Sequence, residues 1–161
     1  MPDAWTSVLE RHNLMWIGAE NSGNEVHVAR RVGMALLAVG IAREQGVADR
    51  LLLSGFSGGG RVASMMMPAY PDIFHGALFI CGANPFFTGT PEAVETLRLT
   101  PMVFLTGTGD FNLEDTQMAI TTYQHAEFPA ELMVIDGLGH ALPDASELDS
   151  ALNKLVSNDI N

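Results

Sequence analysis

Three residues of this chain have the types and the order that acyl transfer requires: Ser57, Asp110 and His140. Ser57 is the centre of Gly55-Phe56-Ser57-Gly58-Gly59, a Gly-x-Ser-x-Gly pattern. The short apolar run Leu51–Leu53 precedes it, and a helix-like segment follows from Arg61. A serine set between a strand and a helix sits on a turn so tight that its neighbours must be small, and the turn exposes its hydroxyl. That hydroxyl is a weak nucleophile at neutral pH and needs an adjacent base, itself oriented by an acid. Two glycine-rich loops offer such partners. Thr106-Gly107-Thr108-Gly109-Asp110 follows the apolar run Met102–Leu105, and Asp136-Gly137-Leu138-Gly139-His140 follows Leu132–Ile135. Each residue also has a plainer reading. The pentapeptide is an ordinary Gly/Ser loop composition, Asp110 suits a turn, and His140 suits a helix cap or the surface. Asp136 competes with Asp110 for the acid role, although it shares a loop with His140.

The elements that must position these residues follow from periodicity and punctuation. Ala4–Asn13 reads as a helix end, Leu14–Ile17 as a short strand and Gly18–Asn24 as a turn-rich loop. Val28, Val32, Leu36 and Val39 recur at helical spacing within a predicted helix from about Glu25 to Gln45, which Gly46 ends. After the Leu51 strand, a helix runs to about Met67 and stops at Pro68. Met65-Met66-Met67 suits core filling better than a metal site, because flexible thioethers fit irregular gaps. Ala77–Cys81, Met102–Leu105 and Leu132–Ile135 read as strands, with helices over Glu114–Glu127 and Pro143–Val156. Strands apolar through their centres and alternating with helices imply an α/β fold: a mostly parallel sheet of about five strands, covered on both faces. Active sites of such sheets lie at the carboxyl ends of the strands, where Ser57, Asp110 and His140 all fall.

Composition narrows the functions. The 161 residues are enough for one domain with a sizeable core, 47% of them are apolar, and the net charge is −11. So acidic a surface repels phosphate backbones and argues against nucleic acid as a partner. The single Cys81 excludes an internal disulfide framework. Val32–Ala42 is the longest apolar stretch and too short to span a membrane. No targeting segment is visible, which makes the cytoplasm the default expectation.

The order Ser57, Asp110, His140 is that of α/β-hydrolases. Together with Tyr70-Pro71-Asp72-Ile73-Phe74-His75-Gly76, Asp110-Phe111-Asn112 and Gly137-Leu138-Gly139-His140-Ala141-Leu142-Pro143, it gives the chain a specific likeness. It resembles the esterase branch that includes polyhydroxybutyrate-depolymerase-like, feruloyl-esterase-like and dienelactone-hydrolase-like proteins, from about Trp5 to the C-terminus. The resemblance implies Ser57 as nucleophile, His140 as general base and acid, Asp110 as orienting acid and the Gly58 backbone N–H as an oxyanion donor. It implies hydrolysis of small-molecule or polymeric carboxylic esters through an acyl-enzyme, with no metal or cofactor.

The family ordinarily places three strands and an oxyanion loop ahead of the point where this sequence begins. The expected fold is therefore an N-terminally truncated α/β-hydrolase domain over residues 1–161, starting at about the fourth strand. With Leu14–Ile17 in that strand's place, the sheet has a gap before the Leu51 strand unless the two pair directly. The uncovered edge calls for a second copy or a partner, and the second oxyanion donor has no evident source. Two activities follow: a serine esterase, or an incomplete hydrolase that needs an N-terminal segment or a partner. Phe56, Asn21 and Phe111 are pocket candidates, with Asn84, Phe86 and Phe87 as further wall residues. The short Gly82–Thr100 segment, at the family's cap position, implies an open site.

Overall fold

The computed structural model describes residues 1–46 and 50–156. A 3-10 turn at Asp3–Trp5 leads into α1 (Thr6–Arg11), and a loop then reaches α2 (Val28–Glu44). β1 (Leu52–Phe56) turns directly into α3 (Gly58–Ala69), which is followed by β2 (Gly76–Ile80) and α4 (Pro91–Leu97). β3 (Met102–Gly107), α5 (Leu113–His125), β4 (Ala130–Ile135) and α6 (Ala145–Val156) complete the described chain.

The strands pair in chain order, β1-β2-β3-β4, and every pair is parallel. A sheet that grows in one direction through right-handed crossovers carries all its connecting helices on one face. That face holds α3, α4 and α5, and α2 packs with them: Val39, Val62, Met66, Phe79, Phe104 and Tyr123 share one apolar cluster. The opposite face needs elements from outside the crossovers, and α1 and α6 supply them. Trp5, Leu9, Leu148 and Leu152 pack there against Leu78, Ile80, Val103 and Leu105. Alternate residues of β2 and β3 thus feed two cores, which is why both strands are fully buried and apolar up to Thr106 at the end of β3.

Two expectations are corrected. Among the described residues the sheet has four strands, because Leu14–Ile17 joins no ladder. The Leu14 N–H instead closes α1 by donating to the Leu9 carbonyl (2.8 Å). Met15, Trp16 and Ile17 stand 52%, 41% and 37% exposed, and Trp16 packs edge-on against Trp5. An apolar run becomes a strand only where a neighbour takes up its N–H and C=O groups, and β1 does not lie beside this one. Helix α3 also continues past Pro68 to Ala69. A proline there cannot donate to the Ser64 carbonyl; the Tyr123 hydroxyl does so instead, at 3.2 Å. Of the methionine run, Met66 and Met67 are buried in the core and Met65 is exposed.

Glycines in the β1–α3 turn serve different ends. A side chain at Gly60 would collide with the Gly82 carbonyl, whereas one at Gly59 would meet only Arg31 Nη2 at 3.8 Å. Gly60→Ala should therefore lower stability by about 1–3 kcal/mol through overpacking. Gly59→Ala should be neutral or stabilising by up to about 1 kcal/mol, because alanine is the better helix former. Urea unfolding of both variants measures the contrast.

Candidate active site

The site begins at the junction of β1 and α3. Ser57 is held at φ 54°, ψ −120°, a region that costs a non-glycine residue about 1–3 kcal/mol. Its surroundings leave it no alternative. The Ser57 N–H donates to the Ile80 carbonyl (2.7 Å), extending the β1–β2 ladder, and its carbonyl accepts the Arg61 N–H (3.1 Å) to start the helix. A side chain at Gly55 would collide with the Gly59 backbone, and one at Gly82 would come within 2.7 Å of the Ser57 carbonyl. The result is an outward-facing hydroxyl at the head of α3, beside the N–H groups that a helix's first turn leaves without intrahelical partners.

The β3 and β4 ends meet this hydroxyl through two loops that lie against each other. The Gly109 N–H donates to the Leu138 carbonyl (2.9 Å), and a side chain at Gly107 would collide with that same carbonyl. Gly137, at φ 74°, supplies the left-handed turn that sends the chain back over the sheet. His140 Nε2 then lies 2.9 Å from Ser57 Oγ, and His140 Nδ1 lies 2.8 Å from Asp110 Oδ1. An ionised carboxylate only accepts, so Nδ1 carries the proton and Nε2 is left to accept from the serine hydroxyl.

Asp110 is 5% exposed and fully engaged. Its Oδ1 accepts the Asn112 N–H (2.9 Å) as well as His140, and its Oδ2 accepts the Thr106 hydroxyl (2.8 Å). Burial alone would raise its pKa, but hydrogen bonds from Asn112, Thr106, His140 and Cys81 outweigh that and hold the carboxyl below its usual range. Asp136, its rival in sequence, is exposed and accepts from the Thr108 hydroxyl (3.3 Å), away from His140. The His140 ring lies between Phe56 (centroids 5.0 Å apart) and Phe111 (4.1 Å), and the Phe111 ring is 77% exposed. The two aromatic rings packed against it restrict the imidazole's rotation.

Cys81, Asp110 and His140 place potential ligand atoms within 4.8 Å of one another. The donor set suits a metal poorly. Burial, followed by the hydrogen bond and charge of Asp110, pushes the Cys81 thiol up to about 12, so it stays protonated. His140 Nδ1 and Asp110 are already bound to each other.

Two cavities open at Ser57. The larger, about 850 Å³, runs along the side of β1 that pairs with no strand among the described residues, between α2 and the N-terminal residues; Phe56, Ser57 and His140 border it. The smaller, about 480 Å³, is bordered by Ser57, Gly58, Asn84 and Phe111. Asn21 borders neither; the nearby Asn24 borders both, as does Arg31. Phe86 packs on Tyr123 and Phe128 in the core, and Phe87 is exposed. Sequence reasoning passed over Thr106, Asn112 and Asn24. The first two belong to the loops already singled out, where Thr106-x-x-x-Asp110-x-Asn112 is a polar set after a strand. Asn24 carried no signal beyond its turn-rich loop.

No protein-family model matches the sequence, and no curated protein matches it. Solved structures do. SOBER1 of Arabidopsis thaliana superposes with a TM-score of 0.61 and 20% identity, covering 80% of this chain and 64% of its own. A ferulic acid esterase gives 0.59 and 17%, covering 76% and 56%. A dienelactone-hydrolase-type protein of Klebsiella pneumoniae gives 0.60 and 18%, covering 83% and 62%. The chain thus has an α/β-hydrolase-type fold and spans less than two thirds of the length of each of the three.

The Asp110 environment has a pH signature. A carboxyl whose pKa falls on folding stabilises the fold above its unfolded value, about 3.9, and that contribution is lost as pH drops through the folded value. Asp110→Asn should cost about 1–3 kcal/mol at pH 7, because it upsets a fully bonded buried acceptor. The gap to wild type should narrow as the pH falls below about 4. Urea unfolding at pH 7, 5 and 3 tests this; a gap undiminished at pH 3 contradicts it.

Proposed function

We propose that the chain is a serine hydrolase that cleaves carboxylic esters through an acyl-enzyme. The observation that carries this reading is the continuous Asp110–His140–Ser57 chain, 2.8 and 2.9 Å, mounted at the carboxyl ends of three parallel strands. Ser57 Oγ attacks the ester carbonyl carbon while its proton passes to His140 Nε2, and the C=O electron pair moves onto oxygen. Asp110 keeps the imidazole in the right tautomer and stabilises the imidazolium. Collapse breaks the bond to the leaving alcohol, which takes the proton from His140. Water then repeats the sequence on the acyl-serine, with His140 again as base, and releases the acid. The Gly58 N–H at the head of α3 is one donor to the oxyanion. The names of a ferulic acid esterase and a dienelactone-hydrolase-type protein among the structural neighbours support an ester as substrate. The exposed Phe111 and the short segment after β2 suit an open site that takes bulky or polymeric esters.

On this reading Ser57→Ala abolishes hydrolysis of nitrophenyl butyrate, and Asp110→Asn lowers kcat roughly 10³- to 10⁴-fold at an otherwise intact site. Turnover by Ser57→Ala equal to wild type overturns the reading.

The 850 Å³ cavity along β1 favours a second reading, an incomplete hydrolase that needs a further strand from an N-terminal segment or a partner. It is lined by Met34, Ala35 and Ala38 of α2 on one side and by Trp5, Leu148 and Leu152 on the other. Such a slot suits a strand that is apolar on both faces and bonds to the free edge of β1. On this reading the chain alone hydrolyses esters poorly. Sedimentation, a cooperative thermal melt and an activity assay on one sample decide it: a monomeric, cooperatively folded and fully active chain rules it out.

A further inference from the structure

An asparagine at the head of a helix ordinarily turns its side-chain oxygen back to an N–H of the first turn. Asn112 is the N-cap of α5 and makes no such bond. Its carboxamide is used elsewhere. Nδ2 donates to the Cys81 carbonyl just past the end of β2 (2.9 Å), and Oδ1 accepts from Arg61 Nη2 of α3 (3.3 Å). Asn112 is buried, and both ends of its amide are engaged. A residue drawn away from its local preference marks a place where a wider demand on the structure prevails.

Both anchors lead to the triad. The Asn112 N–H donates to Asp110 Oδ1 (2.9 Å), the same oxygen that faces His140 Nδ1 (2.8 Å). Arg61 belongs to the first turn of the helix that Ser57 begins, and its backbone N–H donates to the Ser57 carbonyl (3.1 Å). Its guanidinium is held in turn, because Nη2 also pairs with Asp115 Oδ2 of α5 (3.0 Å). One line of contacts thus runs from the Ser57 backbone through Arg61 and Asn112 to the carboxylate oxygen that orients the imidazole. The Cys81 carbonyl ties the middle of that line to the sheet.

We infer that Asn112 is a positioning residue of the triad, fixing the Asp110 carboxylate relative to the helix that carries Ser57, and that Arg61 acts through it. This rests on the ester-hydrolase reading above. Ser57 and Asp110 lie on different strand ends, and proton transfer through His140 depends on the distance between them. A displacement of about 1 Å costs on the order of 100-fold in rate, so a fastening between the two loops bears on kcat without touching substrate.

The test is turnover of nitrophenyl butyrate by Asn112→Ala, Arg61→Ala, Arg61→Lys and the double alanine variant, with folding checked by thermal melts. Asn112→Ala keeps the N–H that Asp110 accepts and removes only the two anchors. Its kcat should fall by about 10- to 100-fold with KM within about twofold of wild type. Arg61→Ala should lower kcat less, by about three- to tenfold, and should cost nothing further once Asn112 is alanine. Arg61→Lys should recover most of that loss, because a single nitrogen serves both acceptors and an ammonium can take its place. The Arg61 side chain is 37% exposed, so its variants carry the test if Asn112→Ala fails to fold. With an active wild type, the inference is overturned by wild-type kcat in folded Asn112→Ala or in Arg61→Ala, by a loss confined to KM, or by additive losses in the double variant. Each of those results leaves the esterase reading intact. A wild-type chain that neither turns over the ester nor takes up a fluorophosphonate at Ser57 overturns the esterase reading, and the role of Asn112 with it.

Discussion

The backbone of Ser57 is held at φ 54° by the close approach of β1 to α3, and most of the site geometry descends from that one turn. The strand can pass straight into the helix only because Gly55, Gly60 and Gly82 present no side chains where the chains touch. β2 ends in the same way. Phe56 pairs with Ile80, so Ser57 and Cys81 occupy equivalent places just past the ladder, and Cys81 has φ 53°. Their N–H groups donate to the Ile80 and Leu105 carbonyls, each at 2.7 Å. Two adjacent strands therefore stop in step, each in a conformation that L-residues disfavour, held there by the sheet next door. Asn112 fastens the arrangement by donating its side-chain N–H to the Cys81 carbonyl (2.9 Å).

From this turn the electrostatics follow in sequence. A buried carboxylate is costly unless its lone pairs are taken up, and Asp110 finds donors in Thr106 at the end of β3, in Asn112 of its own loop and in His140 of the loop after β4. Those donors fix which oxygen faces the imidazole, the imidazole's tautomer follows from the carboxylate, and the serine hydroxyl is left to donate to Nε2. Phe56 and Phe111 hold the ring plane. Position is set by packing of the two glycine-rich loops and polarity by the buried acid, so the two requirements are met by different residues.

Much of this was legible in the sequence because it depends on local signals. Gly-x-Ser-x-Gly, the glycine loops after Leu105 and Ile135, and the apolar centres of β2 and β3 each have a direct cause in turn geometry or two-sided burial. The fifth strand was misread for an equally physical reason. Leu14–Ile17 is apolar enough for a strand, but pairing depends on what lies beside it, and no local pattern reports that. Asn21 and Asn24 share one loop and one residue type, and only the three-dimensional path of that loop distinguishes them. The choice between Asp110 and Asp136 was also tertiary: Thr108 engages Asp136 at the surface while Asp110 turns inward.

The open side of β1 is where catalytic order and structural completeness meet. Ser57 and the unpaired strand edge border the same 850 Å³ cavity, so whatever covers that edge also shapes the approach to the hydroxyl. The central proposal is that Ser57 is an activated nucleophile. Incubation of the folded protein with a fluorophosphonate, followed by intact-mass and peptide mass spectrometry, tests it most directly. The account predicts a single adduct on Ser57, formed at a rate that falls when His140 is replaced by alanine. A folded chain that takes up no label at Ser57 would contradict it.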